Sequence, residues 1–267
     1  FFVNVDLLEP RFEPEIADAI ITETLPGTRT LCGFIKGVRT TEMNGEEYGV
    51  AGALLMAWDI KNGSKHTTLM SIDLGNNNLT LGKPKKGFNG DETEFHDLNL
   101  TGILALADAI KSSSSLESVD LLNNNVGGMI EAGWVMTPGN EKEDEQVEFD
   151  DHTWTCTRVA LDGFKFLVRH DLSGIMALAQ ALSTSNSMKK INLLLNNLND
   201  EAYDAIVSVA QEKEISLCGF DESITEADLS SQNLKLNDVR LIARENDLVS
   251  SLESIDLSEN GLGPEGA

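Results

Sequence analysis

One line of hydrophobic and polar positions recurs along this chain: apolar-x-x-apolar-x-apolar-x-x-Asn-x-apolar. It passes through Leu69, Ile72, Leu74, Asn77 and Leu79, and again through Leu116, Val119, Leu121, Asn124 and Val126. Met188, Ile191, Leu193, Asn196 and Leu198 repeat it, as do Leu252, Ile255, Leu257, Asn260 and Leu262. Looser copies run from Phe2 to Phe12 and from Thr225 to Leu234. Alternation at the fourth to sixth positions is the mark of a strand with one buried face. The Asn then falls at the bend, where its amide can satisfy backbone groups of neighbouring turns. Between these lines lie stretches of helical period: Ile103, Leu106, Ala107 and Ile110; Ile175, Leu178, Ala179 and Leu182; Ala202, Ala205, Ile206 and Val209. A strand followed by a return helix, repeated, predicts parallel strands side by side with helices covering one face.

A longer duplication strengthens the repeat reading. Leu193, Ala202 and Leu217 each lie 186 positions after Leu7, Ile16 and Leu31, and both blocks end in Leu-Cys-Gly-Phe. A shorter echo pairs Asp97-Leu98 and Gly102-Ile103 with Asp171-Leu172 and Gly174-Ile175. Spacing is uneven, however. Ala227 and Ile255 are 28 residues apart, whereas Ile72 and Val119 are 47 apart and Val119 and Ile191 are 72 apart. Insertions are therefore expected at about 80–97 and 127–169, or degenerate strands within them, with a weak strand near Val159. The chain reads as one solenoid over residues 1–267, cut from a longer protein, since it opens inside an apolar run and stops where another helix should begin.

The strand line, followed by Leu/Val-Gly and a small-residue helix, resembles the ribonuclease-inhibitor type of leucine-rich repeat. NOD-like receptors and Ran GTPase-activating proteins share that type. Leu217-Cys218-Gly219-Phe220 followed by Thr225 to Leu234 is also similar to leucine-rich-repeat proteins of unicellular algae. The resemblance covers nearly all of the chain outside the two excursions. It implies an α/β solenoid, with a curved parallel sheet on the concave face, helices on the convex face, and two inserted loops. It also implies an intracellular protein–protein interaction surface; the fold alone does not dictate a function.

Composition narrows the partner. Against 20 Lys+Arg stand 44 Asp+Glu, a formal charge of −24 and a pI near 4.4. Such a surface repels phosphate backbones and favours basic proteins, so nucleic acid is not an expected partner. The longest apolar run, Val50 to Trp58, is too short to cross a bilayer. Cys32, Cys156 and Cys218 are odd in number and far apart, which points to reduced thiols and an intracellular, cytoplasmic or organellar setting.

The residue between the two inward strand positions should face out of the sheet. Here it is Asp6, Asp73, Asp120, Asn192, Asp228 and Asp256. Strands about 4.8 Å apart would set these side by side, as a docking face for a Lys/Arg-rich segment or as a solvated consensus feature. The acidic excursion around Glu143, Asp144 and Glu145, flanked by Trp134 and Trp154, is a second candidate partner surface, or a solvated insertion pinned by its aromatics. It lacks the alternating ligands and glycine of a calcium loop. Lys83, Lys85 and Lys86 form the one basic cluster. Gly261, Gly263 and Gly266 match a dinucleotide fingerprint in letters only, because they fall at a repeat's own strand-to-helix turn. His66, His96, His152 and His170 lie in inserts or ahead of repeat lines, in no catalytic motif. We therefore expect no cofactor, no metal and no catalysis, but a binding scaffold within a larger assembly. A GTPase regulator and the sensing domain of a larger receptor-like protein are the alternatives; the residues that would mark the former do not match position by position.

Overall fold

The computed structural model describes residues 3–4, 13–24, 28–33, 39–63, 69–84, 96–136, 142–143, 145–149, 152–159, 164–221, 223–245 and 249–262. Over these it is a mixed α/β protein with fourteen strands and six helices. The first part holds β1 (Val3–Asn4), α1 (Pro14–Glu23), β2 (Thr28–Thr30), β3 (Thr40–Glu42), α2 (Gly49–Gly63) and β4 (Ser71–Asp73). The middle holds β5 (Leu81–Pro84), β6 (His96–Leu98), α3 (Thr101–Ser112), β7 (Ser118–Asp120), β8 (Met129–Met136), β9 (Gln146–Phe149), β10 (His152–Val159) and β11 (Phe164–His170). Then come α4 (Ser173–Thr184), β12 (Lys190–Asn192), α5 (Asp200–Lys213), β13 (Glu226–Asp228), α6 (Leu236–Glu245) and β14 (Ser254–Asp256).

Strands β3, β4, β7 and β12 form one parallel sheet in that order, aligned as Thr41, Ile72, Val119 and Ile191 at the buried position. Each helix from α1 to α6 packs on the next. Ile72, Val119 and Ile191 share one core with Ile103, Leu106, Ile175, Leu178 and Ile206 from the helices, so the helices lie on one side of the sheet. Burial of each such aliphatic side chain stabilises by about 1.5–3 kcal/mol. Helix α3 comes close to α2 because it carries Gly102: a Cβ there would meet the Ala53 Cβ at 2.7 Å and the Val50 carbonyl at 3.1 Å.

The repeat Asn, present at 77, 124, 196 and 260, ties its unit to the one before. Asn124 is 2% exposed, and its Oδ1 accepts the backbone N–H groups of Asn77 and Leu79, both at 3.1 Å. Its Nδ2 donates to the carbonyls of Leu74, Leu121 and Leu122. Asn196 treats Asn124 and Val126 the same way, Asn77 accepts from Glu46 and Tyr48, and Asn260 accepts from Gln232 and Leu234. One amide thus ties its own turn to the preceding one, donating and accepting at once.

The structure adds a unit that the repeat line missed. Strand β3 and helix α2 form a complete strand–turn–helix, although register with β4 puts Glu46 where the line has Asn77. The long spacings come from true insertions, because β4 pairs directly with β7 and β7 with β12. Neither insertion is a bare loop over its described part. The first contains an antiparallel pair, β5 with β6, and the second an antiparallel sheet in the order β8-β11-β10-β9. That sheet has its own small core of Val147, Trp154, Cys156 and Leu167. The expected strand near Val159 is the end of β10, within this sheet.

Both insertions leave and return through one backbone contact. Asn99 N–H donates to the Thr80 carbonyl at 2.9 Å, and Asp171 N–H donates to the Gly128 carbonyl at 2.9 Å. At the second root glycine is obligatory: Gly128 has φ +65°, and a Cβ there would sit 2.0 Å from the Asp171 carbonyl oxygen. His170 Nδ1 lies 3.0 Å from the Gly127 carbonyl at the same root.

Strands β13 and β14 pair in parallel with each other, in a sheet separate from the four-stranded one. Residues 216–218 lie beside β12 instead, with Ile191 N–H donating to Ser216 O and Leu193 N–H to Leu217 O, both at 2.9 Å. Where the sheet breaks, buried carboxylates take the place of strand carbonyls. Glu245 Oε1 accepts Leu217 N–H at 2.9 Å; Asp238 accepts Leu195 N–H at 2.7 Å and Lys235 N–H at 2.8 Å. In the first block Asp59 accepts Leu31 N–H, Cys32 N–H and the Thr30 hydroxyl. Glu245 follows Asp59 by 186 positions, the interval of the duplication.

Replacing Asn124 with Ala strips partners from the buried Asn77 and Leu79 N–H groups. At about 1–3 kcal/mol for each unsatisfied donor, Asn124→Ala is expected to lower unfolding free energy by roughly 2–5 kcal/mol in urea melts. A loss near zero would show that the amide does not hold adjacent turns together.

Candidate functional site: the outward strand rows

The parallel sheet presents two outward rows. Register aligns Glu42, Asp73, Asp120 and Asn192 across β3, β4, β7 and β12, at the last position of each strand. It aligns Thr40, Ser71, Ser118 and Lys190 at the first position, and Lys190 bridges onward to Ser216. Of the expected acidic row, the structure brings Asp73, Asp120 and Asn192 together on neighbouring strands. Asp228 and Asp256 are neighbours as well, but in the separate β13–β14 pair. Asp6 lies outside the described residues. Glu42 extends the row, and only the structure places it there.

Each of these Asp side chains also has a local duty. Asp73 Oδ1 accepts Gly75 N–H at 2.9 Å, Asp120 Oδ1 accepts Leu122 N–H at 2.8 Å, and Asn192 Oδ1 accepts Leu194 N–H at 3.1 Å. Asp228 and Asp256 do the same for Ser230 and Ser258. The residue two positions on begins the turn, so a short side chain with an acceptor oxygen suits this position. One oxygen per residue is committed to that turn.

Neighbouring amides also reach these carboxylates. Asn192 Nδ2 donates to Asp120 Oδ2 at 3.0 Å, and Asn44 Nδ2 reaches Asp73 at 3.2 Å from Oδ1 and 3.5 Å from Oδ2, which offsets part of the repulsion along the row. Burial pushes the Asp120 carboxyl above its ordinary range; the Asn192 and Leu122 hydrogen bonds pull against that, and Asp73 adds a like-charge push. Asp228 is solvated, and the Ser230 hydroxyl and N–H hold its carboxyl below the ordinary range.

The acidic excursion is built differently from the expected surface. Glu143 and Glu145 are exposed ahead of β9, with Glu145 Oε2 accepting Lys142 N–H at 2.9 Å; Asp144 lies outside the described residues. Trp154 is buried within the inserted sheet. It is 5% exposed, in that sheet's small core, with the Arg169 guanidinium 5.2 Å from its ring centroid. Its ring therefore holds the insertion to itself rather than to the main core. Of the basic cluster, Lys83 lies in β5, while Lys85 and Lys86 are outside the described residues, as are Gly263 and Gly266 of the glycine match.

Chemistry beyond hydrogen bonding is sparse. Among the described residues no three His, Cys, Asp or Glu side chains are grouped to hold a metal ion. All three cysteines are buried and free. Burial pushes the Cys218 thiol well up, and the Glu245 and Asp238 carboxylates push the same way, so the nucleophilic thiolate is disfavoured. Burial holds the His170 ring below its ordinary pKa, hence neutral at pH 7. Among the described residues no helix is long and apolar enough to cross a membrane. No protein-family model matches the chain, and comparison with curated proteins gives no significant match.

The Asp120 shift makes a pH-dependent prediction. Its folded pKa lies above the ordinary 3.8, so the stability present at lower pH is lost as pH rises through the folded pKa. Asp120→Asn removes that loss and, like Asn192, keeps a turn acceptor. The variant's stability relative to the unsubstituted protein is therefore expected to improve as pH climbs from about 3.5 to about 7, a window set by the ordinary carboxyl value and the upward shift. Paired urea melts check this; a difference independent of pH would contradict the assignment.

Proposed function

We propose that the chain is one arc of a leucine-rich-repeat solenoid that serves as a non-enzymatic protein-interaction scaffold in a larger assembly. One observation carries the reading: carboxylates of Glu42, Asp73 and Asp120 stand in register on adjacent strands, on the sheet face that the helices leave uncovered. Stacked units with a shared core and the donating and accepting Asn at 77, 124, 196 and 260 support the solenoid, because each of these amides joins its turn to the one before. A formal charge of −24 favours a partner with a basic surface, steered in by the field and registered by the row.

Crosslinking mass spectrometry on the native complex identifies the partner, and the captured pair then tests the chemistry. Binding is expected to weaken on the order of tenfold as salt rises from about 50 to about 300 mM, as exposed charge pairs are screened. Asp73→Asn combined with Asp120→Asn should weaken it further while leaving the turns intact, since Asn192 shows that an amide serves there. Salt-insensitive binding, or crosslinks confined to the helix side, would remove the acidic row from the interface.

A further inference from the structure

Beside the acidic row, a groove of about 1110 Å³ runs along the first outward position of the strands, from Arg39 at one end to Asp221 and Glu214 at the other. We propose that this groove seats an extended peptide segment of a partner, acidic where it passes Arg39 and basic where it passes Glu214. The inference rests on reading the uncovered sheet face as an interaction surface, and it specifies what lies against part of that face.

Size argues for a peptide. The volume exceeds the roughly 300–1,000 Å³ of small-molecule pockets. Thr40, Ser71, Ser118, Lys190 and Ser216 occupy five successive strand positions, about 19 Å at about 4.8 Å per strand, which an extended segment of about six residues would span.

Chemistry argues for the same occupant. Four of the five positions are hydroxyls, each able to donate and to accept, as alternating peptide N–H and C=O groups require. The Ser216 hydroxyl is buried, with its residue 8% exposed, and has no hydrogen-bond partner among the described residues. A buried hydroxyl left in that state points to a group that arrives from outside. Met70, Phe220 and Val249 supply apolar contact among the polar positions.

Charge sets the polarity. In the middle, Lys189 pairs with Glu117 at 2.6 Å, and Lys190 pairs with Asp221. Arg39 makes no ion pair among the described residues, and Glu214 at the far end makes none either. One cationic and one anionic end remain for a partner. A nucleic acid fits poorly, because two of the three cations are already matched by carboxylates.

Fluorescence polarisation at low ionic strength tests this with the full chain and four labelled hexapeptides. Glu-Ser-Ala-Ser-Ala-Lys and Lys-Ala-Ser-Ala-Ser-Glu cover the two chain directions; the others carry Glu at both ends or Lys at both ends. One mixed peptide is expected to bind about fivefold or more tighter than either like-ended peptide. Arg39→Glu, checked for an unchanged melting temperature, should weaken it about tenfold and turn the preference to the Lys-ended peptide. Ser216→Ala should weaken it severalfold. Absence of binding, equal affinity for all four peptides, or indifference to Arg39→Glu overturns the proposal. Asp73→Asn with Asp120→Asn should leave peptide affinity within about twofold, so a failure of the acidic row against the whole partner is read separately from a failure of the groove.

Discussion

The architecture depends on a requirement of the strand-to-helix turn: its backbone groups are buried, and a buried donor or acceptor without a partner is costly. A strand of three residues cannot satisfy them by pairing alone, because the chain leaves the sheet at once. A carboxamide fits this place because it donates and accepts together. Asn124 accepts from the preceding turn while donating to carbonyls of that turn and its own. An aspartate would supply the acceptors but no donors, and an apolar residue neither. The same geometry explains why units are added in series: each amide needs the preceding turn to complete its partners.

Where that series is interrupted, the chain substitutes rather than leaves a gap. Beyond 216–218 the backbone N–H of Leu217 meets Glu245 from α6, and in the first block Leu31 and Cys32 meet Asp59 from α2. Asp59 and Glu245 are 1% and 0% exposed, an unfavourable environment for a carboxylate; burial alone pushes Asp59 up, and its hydrogen bonds offset part of that push. That both blocks use this arrangement, at the duplication's own interval, makes the break a heritable part of the design rather than an accident of one copy.

Much of the fold was legible because period-two alternation and a fixed Asn constrain the chain locally. The strands around Ile72, Val119, Ile191, Ala227 and Ile255 fall where the line puts them. The β3 unit escaped because Glu46 occupies the diagnostic position and Met43 replaces a leucine. The second insertion read as a loop because acidic composition around Glu145 masks β9, whose stability comes from pairing with β10 and not from propensity. The acidic row followed from the alternation, yet its turn-closing role did not, since position gives the direction of a side chain and not its partners. Asp59 carried a signal that went unread: a lone carboxylate inside the apolar run from Val50 to Ile60 has to be paired or hydrogen-bonded.

On the proposed reading of this face as an interaction surface, the two outward rows divide the work of structure and recognition unequally. In the acidic row, every Asp commits one oxygen to its turn, so the position is constrained by folding before a partner arrives; an Asn is allowed there, and one occurs at 192. The hydroxyl row precedes the bend, and among the described residues the Ser71 and Ser118 side chains close no turn, so these positions are freer to follow a ligand. Selection for a partner should therefore be read first in Arg39, Ser71, Ser118, Lys190 and Ser216, and only second in the aspartates, whose identity the turn already favours. A charge row that folding requires can steer an encounter, but discrimination between partners falls to the positions that folding leaves open.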